Sequence, residues 1–333
     1  MNTNIRNIAI VRLSALGDIV NSSVVLQFIK QFYPNAKIDW ITEGVFAPLL
    51  ESHPLINAVH IVNIKKIKKE KSFTLLKQTI QDLRSLPSYD IIIDMQGLLK
   101  SAIVARMIGK QTHGFDKFST RESLAALFYA TSSKIAYETS VVKRNCFVVG
   151  DALGCAVNDE MLRQKEAIFP IKHNFELLKE SKNIALVIGA SWESKIYPKE
   201  HLAEVCRSIE AQFYVIWGNE KEKDVALWLA NECENAVLAP KLALNELASF
   251  ISCMDLLIGN DTGPTHLAWA QNIASITLFG PTNERMIFQT DKNIALHSPS
   301  QVNILKINKN DFSIGEIDPQ NIIHTAKELL DGI

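Results

Sequence analysis

Asp18 ends the segment Arg12-Leu13-Ser14-Ala15-Leu16-Gly17-Asp18, which follows the apolar run NIAIVR at 7–12. Gly17 permits a tight turn close to a ligand. A carboxylate that opens a helix is kept ionised by the helix dipole, so Asp18 can take a proton from an attacking hydroxyl. It can also serve as a plain helix cap. The GxGxxG dinucleotide fingerprint is missing at this turn.

Gly259-Asn260-Asp261-Thr262-Gly263-Pro264-Thr265-His266-Leu267-Ala268 follows the run DLLIG and opens a helix predicted over 266–271. Amides at a helix start bind phosphate. Thr262 and Gly263 would supply the N–H groups, Thr265 a hydroxyl, and Asp261 a partner for sugar hydroxyls. His266 reads either as a ligand-binding residue or as a structural histidine. After the run NIALVI, Ser191 and Lys195 offer a hydroxyl and a cation for a pyrophosphate, although a lone lysine in a loop is commonly solvated. In Trp217-Gly218-Asn219-Glu220-Lys221-Glu222, either Glu220 or Glu222 can meet ribose hydroxyls, or both are solvated charges of a helix start.

An acceptor side is read from Asp94-Met95-Gln96-Gly97-Leu98-Leu99-Lys100-Ser101. Gln96 and Lys100 would point at the acceptor, joined by Arg121, Ser14 and Gly17. Lys65, Lys66, Lys68, Lys69 and Lys71 fall within seven residues. They can dock on an anionic membrane at about 1 kcal/mol each, or form a solvated helix face.

These segments need elements to position them. The runs 7–12, 37–42, 59–62 and 89–94 read as strands, and 18–33, 75–86 and 100–108 have helical spacing. The alternation restarts at 183–188, 212–217, 255–259 and 274–279. Strand–helix alternation means parallel sheets with right-handed crossovers. The fold class is therefore α/β, with two doubly wound Rossmann-like domains facing across a cleft. Residues 1–165 form the first domain, which carries the acceptor-side residues, and 166–333 the second, which carries the phosphate-binding loops. The break is near Phe169-Pro170, and the last helix, 319–330, is placed as packing back on the first domain. Ligands in such sheets bind beyond the carboxyl ends of the strands.

Composition narrows the function classes. Hydrophobic residues are 47% and charged residues 21% of the 333-residue chain, which suits a globular protein with a sizeable core. No apolar run reaches the roughly 18–20 residues of a membrane span, and Met1 to Ile10 lacks the zones of a signal peptide. A cytoplasmic protein is expected. Five cysteines without CxxC spacing argue against a disulfide framework and a zinc site. No DxD or HExxH occurs, so neither a metal nor another cofactor is expected. The net charge of −1 divides into +6 over residues 1–170 and −7 over 171–333, which favours an anionic partner for the first half. The lysine run lacks interleaved aromatics, and nucleic acid is not expected as a partner.

Three segments, RLSALGD, DMQGLLKSA and NDTGPTHLA, together resemble the lipopolysaccharide heptosyltransferases, glycosyltransferases of the GT-B fold. DWITEGVF and GFDKFSTRES are more similar to type I than to type II members. The resemblance implies transfer of L-glycero-D-manno-heptose from ADP-heptose to Kdo–lipid A, with inversion and without a metal. It also implies a peripheral location on the cytoplasmic face of the inner membrane. It makes Asp18 the general base, Lys195 the phosphate clamp, and Asp261 the heptose contact, with Thr262 and Gly263 on the phosphates. Glu222 or Glu220 would meet the ribose and Leu242 the adenine. Ala15 and the Gly189-Ala190-Ser191 stretch depart from relatives that carry more hydroxyls there. The competing readings are a type II acceptor, a nucleotide-sugar epimerase on the same fold, and a two-lobed solute-binding protein.

Overall fold

The computed structural model describes residues 5–51 and 53–332. The leader reading of Met1 to Ile10 falls partly on residues 1–4, outside those described. The chain divides into two compact units, Met1–Ile168 and Phe169–Ile333.

The first unit holds strands β1 (Asn7–Val11), β2 (Lys37–Glu43), β3 (Ala58–Val62), β4 (Ile91–Asp94), β5 (Thr112–Phe115) and β6 (Thr131–Ser133). They form one sheet in the order β3-β2-β1-β4-β5-β6, and every neighbouring pair is parallel. The second unit holds β7 (Asn183–Val187), β8 (Gln212–Ile216), β9 (Ala236–Leu238), β10 (Leu256–Asn260), β11 (Ala274–Phe279) and β12 (Asn293–His297). Their order is β12-β11-β10-β7-β8-β9, again all parallel. Counted from each unit's first strand, the two orders are the same. Each sheet reverses its winding once, between β1 and β4 and between β7 and β10. Such switch points open a crevice at the carboxyl ends of the two strands.

The central strands read as near-continuous apolar runs because helices cover both faces of a parallel sheet. All five residues of β7 are buried, as are all six of β11. The edge strands β6 (TSS) and β9 (AVL) have only three residues each and gave no clear periodicity in the sequence.

Three expectations change. The helix read over 18–33 is two helices, Leu16–Ser23 and Val25–Phe32. Ser22 and Ser23 lie buried at the break, and their hydroxyls donate back to the Asp18 and Ile19 carbonyls. Such back-bonding competes with the helix ladder and bends it. The domain boundary lies after Ile168 rather than after 165. Gln27 Nε2 donates to the Glu166 carbonyl at 3.0 Å and His53 Nε2 pairs with the Ile168 carbonyl at 2.7 Å, whereas Phe169 exchanges bonds with Gln271 at 2.9 Å. The last helix, Pro319–Asp331, was placed on the first domain. Its apolar face, Ile322, Ile323 and Ala326, is instead taken up by the core of the second unit, against β10, β11 and the helix Lys199–Ser208.

Candidate active site

In the first unit, the chemistry-bearing loops leave the switch strands β1 and β4. The β1 turn runs into the helix Leu16–Ser23, whose third residue is Asp18. Asp18 Oδ2 accepts the Ala15 N–H at 3.2 Å, which satisfies an amide the helix leaves unpaired. Asp18 Oδ1 lies 2.7 Å from Nη2 of Arg12. Arg12 is buried, and its Nη1 donates to the Met95 carbonyl just beyond β4. One planar guanidinium thus ties the β1 turn to the β4 turn in fixed geometry. The Asp18 side chain keeps 29% of its surface exposed, so the group that caps the helix can also be reached by a hydroxyl.

The β4 turn is built around Asp94, which is fully buried. Its Oδ1 accepts the amides of Gln96 and Gly97 at 2.8 and 3.3 Å, and its Oδ2 accepts the hydroxyls of Ser101 and Tyr129 at 2.7 Å each. Burial pushes the Asp94 carboxyl up, and these four bonds offset only part of that. Gln96 then offers Oε1 to the Leu13 amide at 2.9 Å, and Lys100 Nζ reaches the Ser14 hydroxyl at 3.3 Å. Ser14, Gln96 and Lys100 therefore share one cluster with Asp18, and Gly17 lies half-buried in the first helical turn. Arg121 is exposed on a loop that folds onto this turn through the Thr120 hydroxyl and the Gly97 carbonyl. The lysine run forms the exposed helix Ile64–Glu70, with Lys71 as its left-handed cap at φ 48°, beyond the edge strand β3.

In the second unit, the switch strands β7 and β10 bring Lys195 and Asp261 together. Lys195 Nζ lies 2.6 Å from Asp261 Oδ2, which also accepts the Thr282 hydroxyl at 2.7 Å. His266 Nε2 lies 3.2 Å from Oδ1, and His266 Nδ1 is buried with no hydrogen-bond partner among the described residues. Burial would raise the Asp261 pKa, but the Lys195 charge and then the His266 hydrogen bond hold it far below the usual carboxylate range. Lys195 is buried, not solvated, and His266 is joined to the same carboxylate.

The helix that follows begins at Gly263, earlier than expected, because Thr262 is its cap and Pro264 is pre-set for a first turn. Gly259 has no room for a side chain, since a Cβ there would meet Val187 Cβ at 2.6 Å. Thr265 instead turns its hydroxyl to the Asn260 carbonyl at 2.6 Å.

Glu222 and Glu220 separate. Glu222 accepts the Gly218 amide at 2.6 Å and the Asn219 side chain at 2.7 Å, at the mouth of β8. It crowds Gly189 beyond β7 so closely that a Cβ there would lie 2.4 Å from its Oε1. Glu220 is exposed and 3.8 Å from Lys223. Ser191 is exposed next to Trp192, whose ring lies under Lys309 at 4.6 Å and Lys195 at 5.6 Å. Leu242 is half-buried beyond β9, after Lys241, which donates to the Gly218 carbonyl at 2.6 Å and covers the Trp217 ring at 4.2 Å.

Arg12 and Thr282 were not singled out from the sequence. Arg12 ends the first strand run, where arginine in an otherwise apolar stretch was itself a signal. Thr282 follows Gly280-Pro281 at the end of β11, the same strand-to-turn position that marked the other candidates. Among the described residues, no group of His, Cys, Asp or Glu is arranged to hold a metal ion, and no helix is long and apolar enough to cross a membrane.

Residues 77–311 match the model of glycosyltransferase family 9 (heptosyltransferase). The lipopolysaccharide heptosyltransferase 1 of Campylobacter coli is 38% identical over 97% of this chain and 98% of its own. The heptosyltransferase 1 of Escherichia coli K12 is 27% identical over 90% and 96%. The solved structure of the E. coli heptosyltransferase WaaC with ADP superimposes with a TM-score of 0.80 at 24% identity, covering 97% of this chain and 99% of that one. Two parallel sheets with helices on both faces are the GT-B architecture. The chain belongs to glycosyltransferase family 9, the heptosyltransferases.

Proposed function

We propose that this protein transfers L-glycero-D-manno-heptose from ADP-heptose to a Kdo hydroxyl of Kdo–lipid A in the synthesis of the lipopolysaccharide inner core. The relatives named heptosyltransferase 1, up to 38% identical, support this over a type 2 or type 3 activity, whose relatives are 24–26% identical. WaaC has been solved with ADP and with ADP-2-deoxy-2-fluoro heptose, which supports the same donor here.

The observation that carries the mechanism is the Asp18 carboxylate, accessible at a helix start and oriented by buried Arg12. Asp18 takes the proton from the acceptor hydroxyl as that oxygen attacks the anomeric carbon. The carbon–oxygen bond to ADP breaks on the opposite face, so the configuration inverts. Lys195 and the amides of Thr262 and Gly263 meet the charge that develops on the departing diphosphate. The heptose lies at the Asp261 end of that loop, near Thr265 and His266. Glu222 meets the ribose and Leu242 the adenine, with Ser191 beside the phosphates. Ser14, Gly17, Gln96, Lys100 and Arg121 hold the anionic acceptor, and Lys65, Lys66, Lys68, Lys69 and Lys71 meet an anionic membrane surface on the cytoplasmic side. No step uses a metal.

The test is ADP release from ADP-heptose, in EDTA, with and without deacylated Kdo–lipid A. Acceptor-dependent release supports the proposal. Release without acceptor indicates hydrolysis or epimerase-like chemistry, and release only with a heptosylated acceptor indicates a type 2 activity.

A further inference from the structure

The loop after β5 and the two-turn 3₁₀ segment that follows it expose three large apolar side chains. Phe118, Leu124 and Leu127 are 70%, 61% and 79% exposed. Leu124 and Leu127 lie on the 3₁₀ segment Ser123–Phe128, where residues three apart share a face. Ala125, on the inward side, is fully buried.

The charges around these residues are sorted by sign. Asp116 turns its Oδ1 onto the amides of Phe118 and Ser119 at 3.1 and 2.8 Å and the Ser119 hydroxyl at 2.6 Å. Glu122, itself exposed, accepts the Leu99 amide at 2.7 Å. Both carboxylates are thus engaged by backbone amides, Asp116 within its own loop and Glu122 at the start of the helix Leu99–Ile108. The cations are not: Lys117 and Lys134 extend over the exposed Phe118 ring at 4.9 and 5.8 Å. Apolar side chains flanked by ammonium groups, with the neighbouring carboxylates hydrogen-bonded to amides, complement an acyl boundary beneath a layer of phosphates.

We propose that this segment is a membrane-docking surface that inserts Phe118, Leu124 and Leu127 into an anionic lipid layer. It lies beyond the carboxyl end of β5, and the lysine helix Ile64–Glu70 lies beyond that of β3. The turns after β1 and β4 come between them in strand order. Two lipid contacts, one apolar and one cationic, therefore flank the acceptor cluster, four strand spacings or roughly 19 Å apart. Neither needs to be strong alone, since paired weak anchors give stable membrane binding. The inference rests on the proposed acceptor role of the first unit only in its second readout below.

The experiment is co-sedimentation of the full chain with vesicles of phosphatidylglycerol and phosphatidylethanolamine. Wild type is expected to sediment with them. Phe118→Ser/Leu124→Ser/Leu127→Ser is expected to lose at least about tenfold in partitioning, with an unchanged circular dichroism spectrum and melting temperature. Lys117→Gln/Lys134→Gln is expected to weaken binding in proportion to phosphatidylglycerol content. In the second readout, the triple variant keeps turnover on water-soluble deacylated acceptor and loses it on acceptor embedded in vesicles. A wild type that stays in the supernatant, or a folded triple variant that sediments like wild type, overturns the proposal. Wild type that binds vesicles but transfers to no acceptor leaves the docking surface supported and refutes the functional reading instead.

Discussion

Replacing Lys195 by Met tests whether the second unit's cluster is an electrostatic unit or an accidental contact. Lys195 lies 2.6 Å from Asp261, whose side chain is only 2% exposed. Removing one partner of a buried pair leaves an uncompensated charge and costs about 3–5 kcal/mol. Here Thr282 and His266 remain on the carboxylate, so the low end, about 3 kcal/mol, applies. At roughly 2–4 °C per kcal/mol for a unit of this size, melting should fall by about 6–12 °C. The assay is calorimetry at pH 7 on wild type, Lys195→Met, and Lys195→Met/Asp261→Asn. The double variant removes the stranded charge and should recover most of the loss. The sign with pH follows from the depressed Asp261 pKa. Stability from the pair is present above the unfolded carboxylate value of about 3.9 and is lost as pH falls toward the folded value. The gap between wild type and Lys195→Met should therefore narrow in acid. A single variant that melts within about 1 °C of wild type, or a double variant no better than the single, refutes the reasoning.

Asp18→Asn should lower kcat by roughly 10²–10⁴ with little change in the KM for donor, read as initial rates of ADP release; near-normal turnover removes the base assignment. Gly189→Ala should raise the Kd for ADP, measured by titration calorimetry, because its new methyl would displace the Glu222 carboxylate. Asp39 tests acid stability away from the site. Burial would raise its pKa, but hydrogen bonds from His60 at 3.0 Å, Tyr89 at 2.6 Å and Asn57 at 2.7 Å hold it low. Its stabilising effect is therefore present above about pH 4 and lost as pH falls further. Urea midpoints measured against pH should show a flatter acid limb in Asp39→Asn.

Much of this architecture was legible because the central strands are apolar on both faces. NIAIV, IIID, NIALV and ASITLF needed only length and β-branching to read as buried parallel strands. The edge strand TSS at β6 carries no such signal, since it is short and half solvated. The break after Ser23 was hidden because serine hydroxyls act on the helix ladder through backbone carbonyls, which spacing alone does not reveal. In the site, strand-end positions identified Asp18, Lys195 and Asp261 separately. Their partners were less accessible: Thr282 lies 21 residues from Asp261 and Lys195 lies 66 away. Only the β7–β10–β11 pairing makes these residues neighbours.

The two units solve one electrostatic problem in opposite ways, and this distinguishes their carboxylates chemically. In each, an aspartate stands beyond a switch strand and a cation from a buried side chain meets it: Arg12 with Asp18, Lys195 with Asp261. Asp261 has both oxygens engaged and is sealed in, so protonating it would require breaking the cluster. It can fix Lys195 and His266 at a ligand, but it cannot receive a proton from an acceptor. Asp18 gives one oxygen to a planar guanidinium and the other to a longer amide contact of 3.2 Å, and leaves 29% of its side chain open. A guanidinium held by the Met95 carbonyl as well cannot follow the carboxylate outward, so a hydroxyl that approaches Asp18 competes with the weaker amide contact. Under the proposed mechanism, the open carboxylate of the first unit is therefore the one suited to proton transfer, and the sealed one of the second unit to charge stabilisation.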